Sequence, residues 1–217
     1  MKSYWIWTLY ARVYDVINKN IPYLEMLNEV TNELQLKDSP EPLSILDAGC
    51  GTGNIEMRIR KENTNVNVIG IDSSREMLDQ ARAKFANDQR IRFQSADLNQ
   101  RLSFGNEIFD RVVSINSLYA VRDPEFTLQE IHRVLKPGGR LVFASPHKDS
   151  TFFGIMKGQR KALGQWRFAA SFIRNLPSLL VVMFVNLFYL KNNENYWDET
   201  TTRSKLQALG FRDVSIR

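Results

Sequence analysis

The chain has 217 residues, 43% of them hydrophobic and 24% charged, a composition that supports one globular domain with a real core and excludes a disordered, collagen-like or disulfide-stapled chain. Its single cysteine, Cys50, allows neither an internal disulfide nor a cysteine metal cluster, so a reducing compartment and no metal site are expected. The net charge of +5 sits in one segment: no Asp or Glu occurs from Ser150 to Asn193, where Lys157, Arg160, Lys161, Arg167, Arg174 and Lys191 stand, and the remaining 23 basic and 24 acidic residues nearly cancel.

In chain order, the aromatic start at Tyr4 and Trp5 runs into a polar pattern without a secretory leader, which makes a cytoplasmic location the expectation. Trp5, Leu9, Val13, Val16 and Ile17, then Leu24, Leu27, Val30 and Leu34, recur at helical spacing over residues 4–36. This predicts two helices, which either simply pack on the domain or include a first helix that, with its Trp and Tyr, closes over a ligand site. From Leu43 to Ser145 short apolar runs alternate with amphipathic ones, the pattern of a parallel sheet with crossover helices. Strands are expected at 43–49, 66–72, 91–97, 109–116 and 140–146. A helix over 73–85 opens with a capping box at Ser73 and Glu76, and another starts at Asp123-Pro124 and breaks at Lys136-Pro137-Gly138-Gly139. A last helix from about Glu199 stops at Gly210, and residues 211–217 predict a sixth strand. The fold expected is α/β and Rossmann-like, a doubly wound, mostly parallel sheet of six or seven strands. It forms one domain: an N-terminal cap over 1–40, a core over 41–149, an insert over 150–197 and a return over 198–217.

The insert holds the most apolar run of the chain, Leu176 to Leu190, about 15 residues interrupted by Pro177 and Asn186. A bilayer-spanning helix needs roughly 20 apolar residues, so this run does not span. Three roles stay open for the segment: a lid on the domain, a contact with an anionic membrane surface through 152–190, or an oligomer interface.

Chemistry concentrates at Asp47-Ala48-Gly49-Cys50-Gly51-Thr52-Gly53-Asn54, where the first strand hands over to a helix. Glycines here let a ligand approach main-chain amides. A dinucleotide fingerprint would put its third glycine at Asn54, and no Gly-Lys-Ser/Thr follows for a phosphate loop. Asp47 would repel a pyrophosphate and suits a cationic ligand. Asp72 and Asp97 end the second and third strands, where one carboxylate could accept from ribose hydroxyls and the other from an adenine amine, with Ala96 and Leu98 beside the ring.

Together LDAGCGTGN (46–54), GIDSS (70–74), SADL (95–98), FDRVVSINSLYAV (109–121) and EIHRVLKPGGRLVF (130–143) resemble the class I S-adenosylmethionine-dependent methyltransferases, in particular their small-molecule, UbiE-like branch. The resemblance implies a methyltransferase whose cofactor is S-adenosylmethionine. It places Asp47, Gly49, Gly51 and Gly53 at the methionine part, Asp72 at the ribose and Asp97 at the adenine amine. It adds Tyr10, Cys50, Ser73, Met77, Leu98 and Asn116 to the expected cofactor contacts. Tyr10, Tyr14 and Asp15 look like the family's N-terminal segment, whose tyrosine lies over the methionine end. The family's sheet ends with a seventh, antiparallel strand, whereas this sequence runs out in what reads as the sixth, so that strand is either lost or replaced by another segment; the insert is also longer than usual.

Methyl transfer from a sulfonium needs alignment and exclusion of water more than acid–base chemistry. For an acceptor that ionises poorly, His147, at the carboxyl end of the fifth strand, is the expected base, with Tyr14 as the second catalytic candidate. His132 reads as a surface residue of a helix, and Cys50 as a small loop residue instead of a nucleophile. The acceptor expected is a hydrophobic small molecule or lipid. A nucleic-acid substrate is disfavoured, because the chain lacks the Asp/Asn-Pro-Pro-Tyr signature and, outside the insert, is nearly neutral. That reading and a non-catalytic cofactor-binding subunit are the alternatives.

Overall fold

The computed structural model describes residues 11, 14–15, 20–37, 41–145, 152–185 and 197–216. Five strands, β1 (Leu43–Ala48), β2 (Val66–Asp72), β3 (Ile91–Ser95), β4 (Phe109–Ile115) and β5 (Leu135–Ala144), pair in parallel in the order β3-β2-β1-β4-β5. The central strand reads LSILDA and is buried along almost all its length, as a parallel strand covered on both faces must be. Alternate residues face opposite layers. Ile45 and Val113 join Leu27, Val30, Ile55 and Ile59 of α1 (Ile21–Glu33) and α2 (Asn54–Glu62) on one side. Leu46 and Val112 join Leu128, Ile131 and Leu206 of α4 (Pro124–Val134) and α7 (Glu199–Ala208) on the other.

The chain winds from β1 outward to β3 and then returns to place β4 on the other side of β1. The switch point therefore lies between β1 and β4, above their carboxyl ends, where open sheets of this kind leave a crevice. Short side-chain caps set the helix entries. Asp123 accepts from Phe126 N at 3.0 Å ahead of Pro124, and Asp198 accepts from Thr201 N at 2.8 Å.

The cap of α3 (Arg75–Lys84) is Ser74, which accepts from Met77 N at 3.3 Å, one residue later than the capping box read at Ser73. The shift has a cause: Asp72 Oδ1 accepts from Ser74 N at 2.8 Å, a local turn that carries the strand exit one residue further.

The sheet has five strands among the described residues, not six or seven. Residues 211–216 follow α7 but form no strand. Asp213 lies at φ 53°, off the extended path, and Phe211 and Val214 contribute side chains to the core instead of backbone to the sheet. In β5, Leu135 already pairs with Phe109, but regular pairing resumes only at Arg140 opposite Arg111, so Lys136 to Gly139 bulge out of the ladder.

The insert forms α5 (Phe152–Leu163) and α6 (Gln165–Val185). The first is tied to α1: Ile21 N donates to Gln159 Oε1 at 2.7 Å, and Gly158 sits against Pro22. No described helix is long and apolar enough to cross a membrane.

Candidate functional site

The loop after β1 is held by its neighbours' backbones. Opposite Asp47 stands Gly70, and opposite Ala48 stands Ile71, so the register brings Asp72 beside the loop. Ile71 O accepts from Gly49 N at 2.8 Å and from Cys50 N at 3.0 Å, and Asp72 Oδ2 accepts from Gly51 N at 2.9 Å. On the other side, Ser114 Oγ and Ser117 Oγ each donate to Ala48 O at 2.9 Å. Gly49 has φ 91°, and a Cβ there would fall 2.4 Å from the Cβ of Ser117. Only glycine fits. Asn116 takes φ 54° and its N–H donates to Ala144 O at 2.8 Å, a left-handed non-glycine residue at the switch point. Gly53 starts α2 at φ 81°, and the space where its side chain would stand is filled by Phe85, Ala81 and Phe93.

Under the loop lie acids. Asp47 is 2% exposed and Glu56 is wholly buried, and the two carboxyls face one another. Among the described residues, no other side chain satisfies either Glu56 oxygen or Asp47 Oδ1. Burial first, and then the Glu56 charge, lifts the Asp47 carboxyl well above the usual range; burial likewise pushes Glu56 up to about 7. The pair thus retains a proton near neutrality. Burial also raises Asp72, against the pull of the Ser74, Gly51 and Ser73 amides. Asp97 is exposed at the third strand's tip, where Oδ1 accepts from Asn99 N at 2.9 Å and Nδ2 at 2.6 Å. Leu98 beside it is buried, its carbonyl accepting from Thr127 Oγ1 at 2.9 Å.

A roof comes from the N-terminal segment. Tyr14 Cε1 and Met77 Sδ lie 3.8 and 4.0 Å from where a Gly51 Cβ would stand. Tyr14, Tyr23, Asp47, Gly49, Cys50, Asn54, Ile55 and Ile115 line a single cleft. Thr52 Oγ1 donates to Asp15 Oδ1 at 2.6 Å, and Lys84 Nζ bridges Asp15 Oδ2 at 2.8 Å and Thr52 O at 2.8 Å. Gln80 Nε2 adds a bond to Ala11 O at 2.9 Å. Lys84→Met should therefore loosen the N-terminal segment, seen as faster limited proteolysis before residue 20, while global stability falls by only about 1 kcal/mol.

Glu56, Lys84 and Tyr23 belong to this site and are missed by sequence reasoning, whereas Asp15, named there as part of the N-terminal segment, is held by Thr52 and Lys84. A glutamate in the first turn and a lysine in the last turn of a helix are ordinary dipole-matching choices, so neither signals burial. Of the residues expected from the sequence, Tyr14, Asp47, Gly49 and Cys50 line the cleft, Asp72 and Met77 stand against the loop at Gly51, Asn116 follows the lining residue Ile115, and Ser73 is exposed. Tyr10 and His147 lie outside the described residues. His132 is on the surface, edge-on to Phe211 at 4.9 Å between ring centroids, away from the cleft. Cys50 is buried and free, and burial pushes its thiol well up, so it is a poor nucleophile.

A glycine cradle thus lies over a buried acid, with a second acid bracing it and a third at the next strand tip. The family model described as "Methyltransferase domain" matches residues 41–200. The chain is 36% identical to the Bacillus subtilis protein YqeM over 155 residues, 66% of this chain and 60% of that one. It is 32% identical to a demethylmenaquinone methyltransferase of Clavibacter sepedonicus over 180 residues, 80% of this chain and 67% of that one. A solved structure from Methanococcus maripaludis superposes with a TM-score of 0.61 at 22% identity, covering 92% of this chain and 83% of that one, a likeness of fold. The matched region is thus about three fifths to two thirds of those two relatives' length. With 160 residues under the family model, the chain belongs to the methyltransferase-domain family, the class I S-adenosylmethionine-dependent methyltransferases.

Proposed function

We propose that the chain transfers a methyl group from S-adenosylmethionine to an apolar small-molecule acceptor, a quinol or a lipid of similar polarity. The observation that carries the cofactor half is Asp47 Oδ1, a buried carboxyl oxygen that faces only the Glu56 carboxyl and meets no other hydrogen-bond partner among the described residues, beneath a cradle of bare glycine backbone. An orphaned buried acceptor of this kind calls for a cationic donor, which the ammonium of the cofactor's methionine part is. In this reading S-adenosylmethionine, when bound, supplies a methyl already activated on positively charged sulfur. Asp47 holds the ammonium, Asp72 accepts from ribose hydroxyls with lone pairs left over from the Gly51 and Ser74 amides, and Asp97 accepts from the adenine amine beside Leu98.

Tyr14 and Tyr23 close the cleft from above, where their work is to exclude water and orient the acceptor. The acceptor half is supported by the relative named for demethylmenaquinone and by the apolar insert next to α1. His147 remains our candidate for taking the acceptor's proton.

Calorimetric titration with S-adenosylmethionine and its demethylated product tests the cofactor assignment, with binding expected for both. Asp97→Ala is expected to weaken both by about tenfold while leaving the unfolding midpoint unchanged, the loss of one charge-assisted bond at an exposed residue. Absence of heat from either nucleoside would overturn the reading. Labelled methyl transfer to a panel of quinols, phenols, amines and RNA then separates the acceptor classes. Transfer to RNA alone would refute the apolar acceptor.

A further inference from the structure

On α6, Trp166, Ile173 and Leu180 recur every seven residues, which returns each to the same helix face two turns on. They are 86%, 72% and 51% exposed, and Leu176 on their flank is 38% exposed. Ala170 and Pro177 fall between them and are exposed too, so an apolar ridge runs for about 21 Å along the helix. The half-buried side chains of α6, among them Phe168, Phe172 and Leu179, lie on the opposite face. The ridge therefore points away from the domain. A helix that needed only to pack on its own domain would have turned it inward.

The rim of the ridge is cationic. Arg167 and Arg174 are exposed beside it, and Lys157, Arg160 and Lys161 are exposed on α5, with no acid anywhere from Ser150 to Asn193. An apolar face bearing a tryptophan, bordered by lysine and arginine alone, has the chemistry that lies in the plane of an anionic bilayer interface. A second copy fits worse: two-fold pairing of the ridges would set arginines near arginines with no carboxylate on either helix to offset them.

We propose that α6 is a membrane-docking helix, its ridge set among the headgroups of an anionic bilayer and its arginines on lipid phosphates. The docked element is joined to the site: α5 is bonded to the start of α1, and α1 carries Tyr23 of the cleft. This deepens the apolar-acceptor reading and rests on it, since docking would place the cleft near the phase in which such an acceptor dissolves.

The test is flotation of the full chain with phosphatidylcholine vesicles, with and without phosphatidylglycerol. We expect binding to the anionic vesicles that falls with salt. It should be at least about tenfold weaker both in Trp166→Ser/Ile173→Ser/Leu180→Ser and in Arg167→Gln/Arg174→Gln. Both variants should retain wild-type affinity for S-adenosylmethionine, which also reports that they fold. Equal binding to neutral and anionic vesicles, no binding to either, or a dimer in light scattering that the ridge variant dissociates would each overturn the docking proposal. Methyl transfer to a detergent-dispersed acceptor distinguishes the two readings. Activity there with no flotation removes the membrane and leaves the proposed function, whereas flotation with no transfer to any apolar acceptor removes the function.

Discussion

Asp72→Ala is expected to leave a chain that folds but binds S-adenosylmethionine at least a hundredfold more weakly and unfolds more easily by about 2 to 4 kcal/mol. The structural share comes from two backbone bonds, Gly51 N to Oδ2 at 2.9 Å and Ser74 N to Oδ1 at 2.8 Å. One side chain thus fixes both the glycine loop and the entry to α3. Charge-assisted bonds of this kind contribute about 1.5 to 3 kcal/mol each, reduced here by the cost of keeping the carboxylate buried. Asp72→Asn separates the two roles. Its single oxygen can serve one amide, so about half of the stability should return, while an amide substitutes poorly for a carboxylate facing two ribose hydroxyls. Thermal unfolding and calorimetric titration of both variants are the measurements. Cofactor affinity that recovered in step with stability in Asp72→Asn would mean that Asp72 acts only as a loop brace.

That double duty explains what the sequence does and does not disclose. The strand tips at Asp47, Asp72 and Asp97 are legible because buried parallel strands are apolar runs that end at a change of composition, and a carboxylate at that boundary stands out. The loop is legible because Gly49, Gly51 and Gly53 all take positive φ, a demand of the local backbone. Bonds between distant elements are not legible. Nothing in the local pattern of α3 says that Lys84 reaches Asp15 across 69 residues, and nothing in α2 says that Glu56 turns inward, because a surface glutamate would have the same neighbours in sequence. The missing sixth strand is of the same kind. FRDVSIR carries the strand formers Phe211, Val214 and Ile216, but Asp213 takes a left-handed conformation that only the folded context selects. The insert was legible in composition, a basic and apolar tract, but the direction of its ridge follows from how α6 is turned, which depends on the rest of the domain.

Glu56 gives the second large effect, and its sign follows from burial. In the unfolded chain its carboxyl titrates near 4.5; in the folded protein burial holds it at about 7. Between those values the folded state binds more protons than the unfolded state, so stability falls as pH rises. The contribution is fully present below pH 4.5 and is lost through pH 7, about 3 kcal/mol in all. The groups around it set this balance. Asp47 on β1 shares the pair, Asp72 on β2 adds negative charge, and Lys84 on α3 opposes the shift. Glu56→Gln keeps the shape without the charge, and its amide can donate to Asp47. The variant should match the wild type within about 1 kcal/mol at pH 5 and exceed it by about 2 to 3 kcal/mol at pH 8, read from denaturant unfolding at both pH values. A cationic amine arriving beside Asp47 should draw the shared proton off the pair. Cofactor titrations near pH 7 in two buffers of different ionisation enthalpy should therefore show proton release in the wild type and little in Glu56→Gln. A wild-type stability profile flat from pH 5 to pH 8 would show instead that the two carboxyls hold no proton in the folded protein, and that a cation, not a proton, neutralises them.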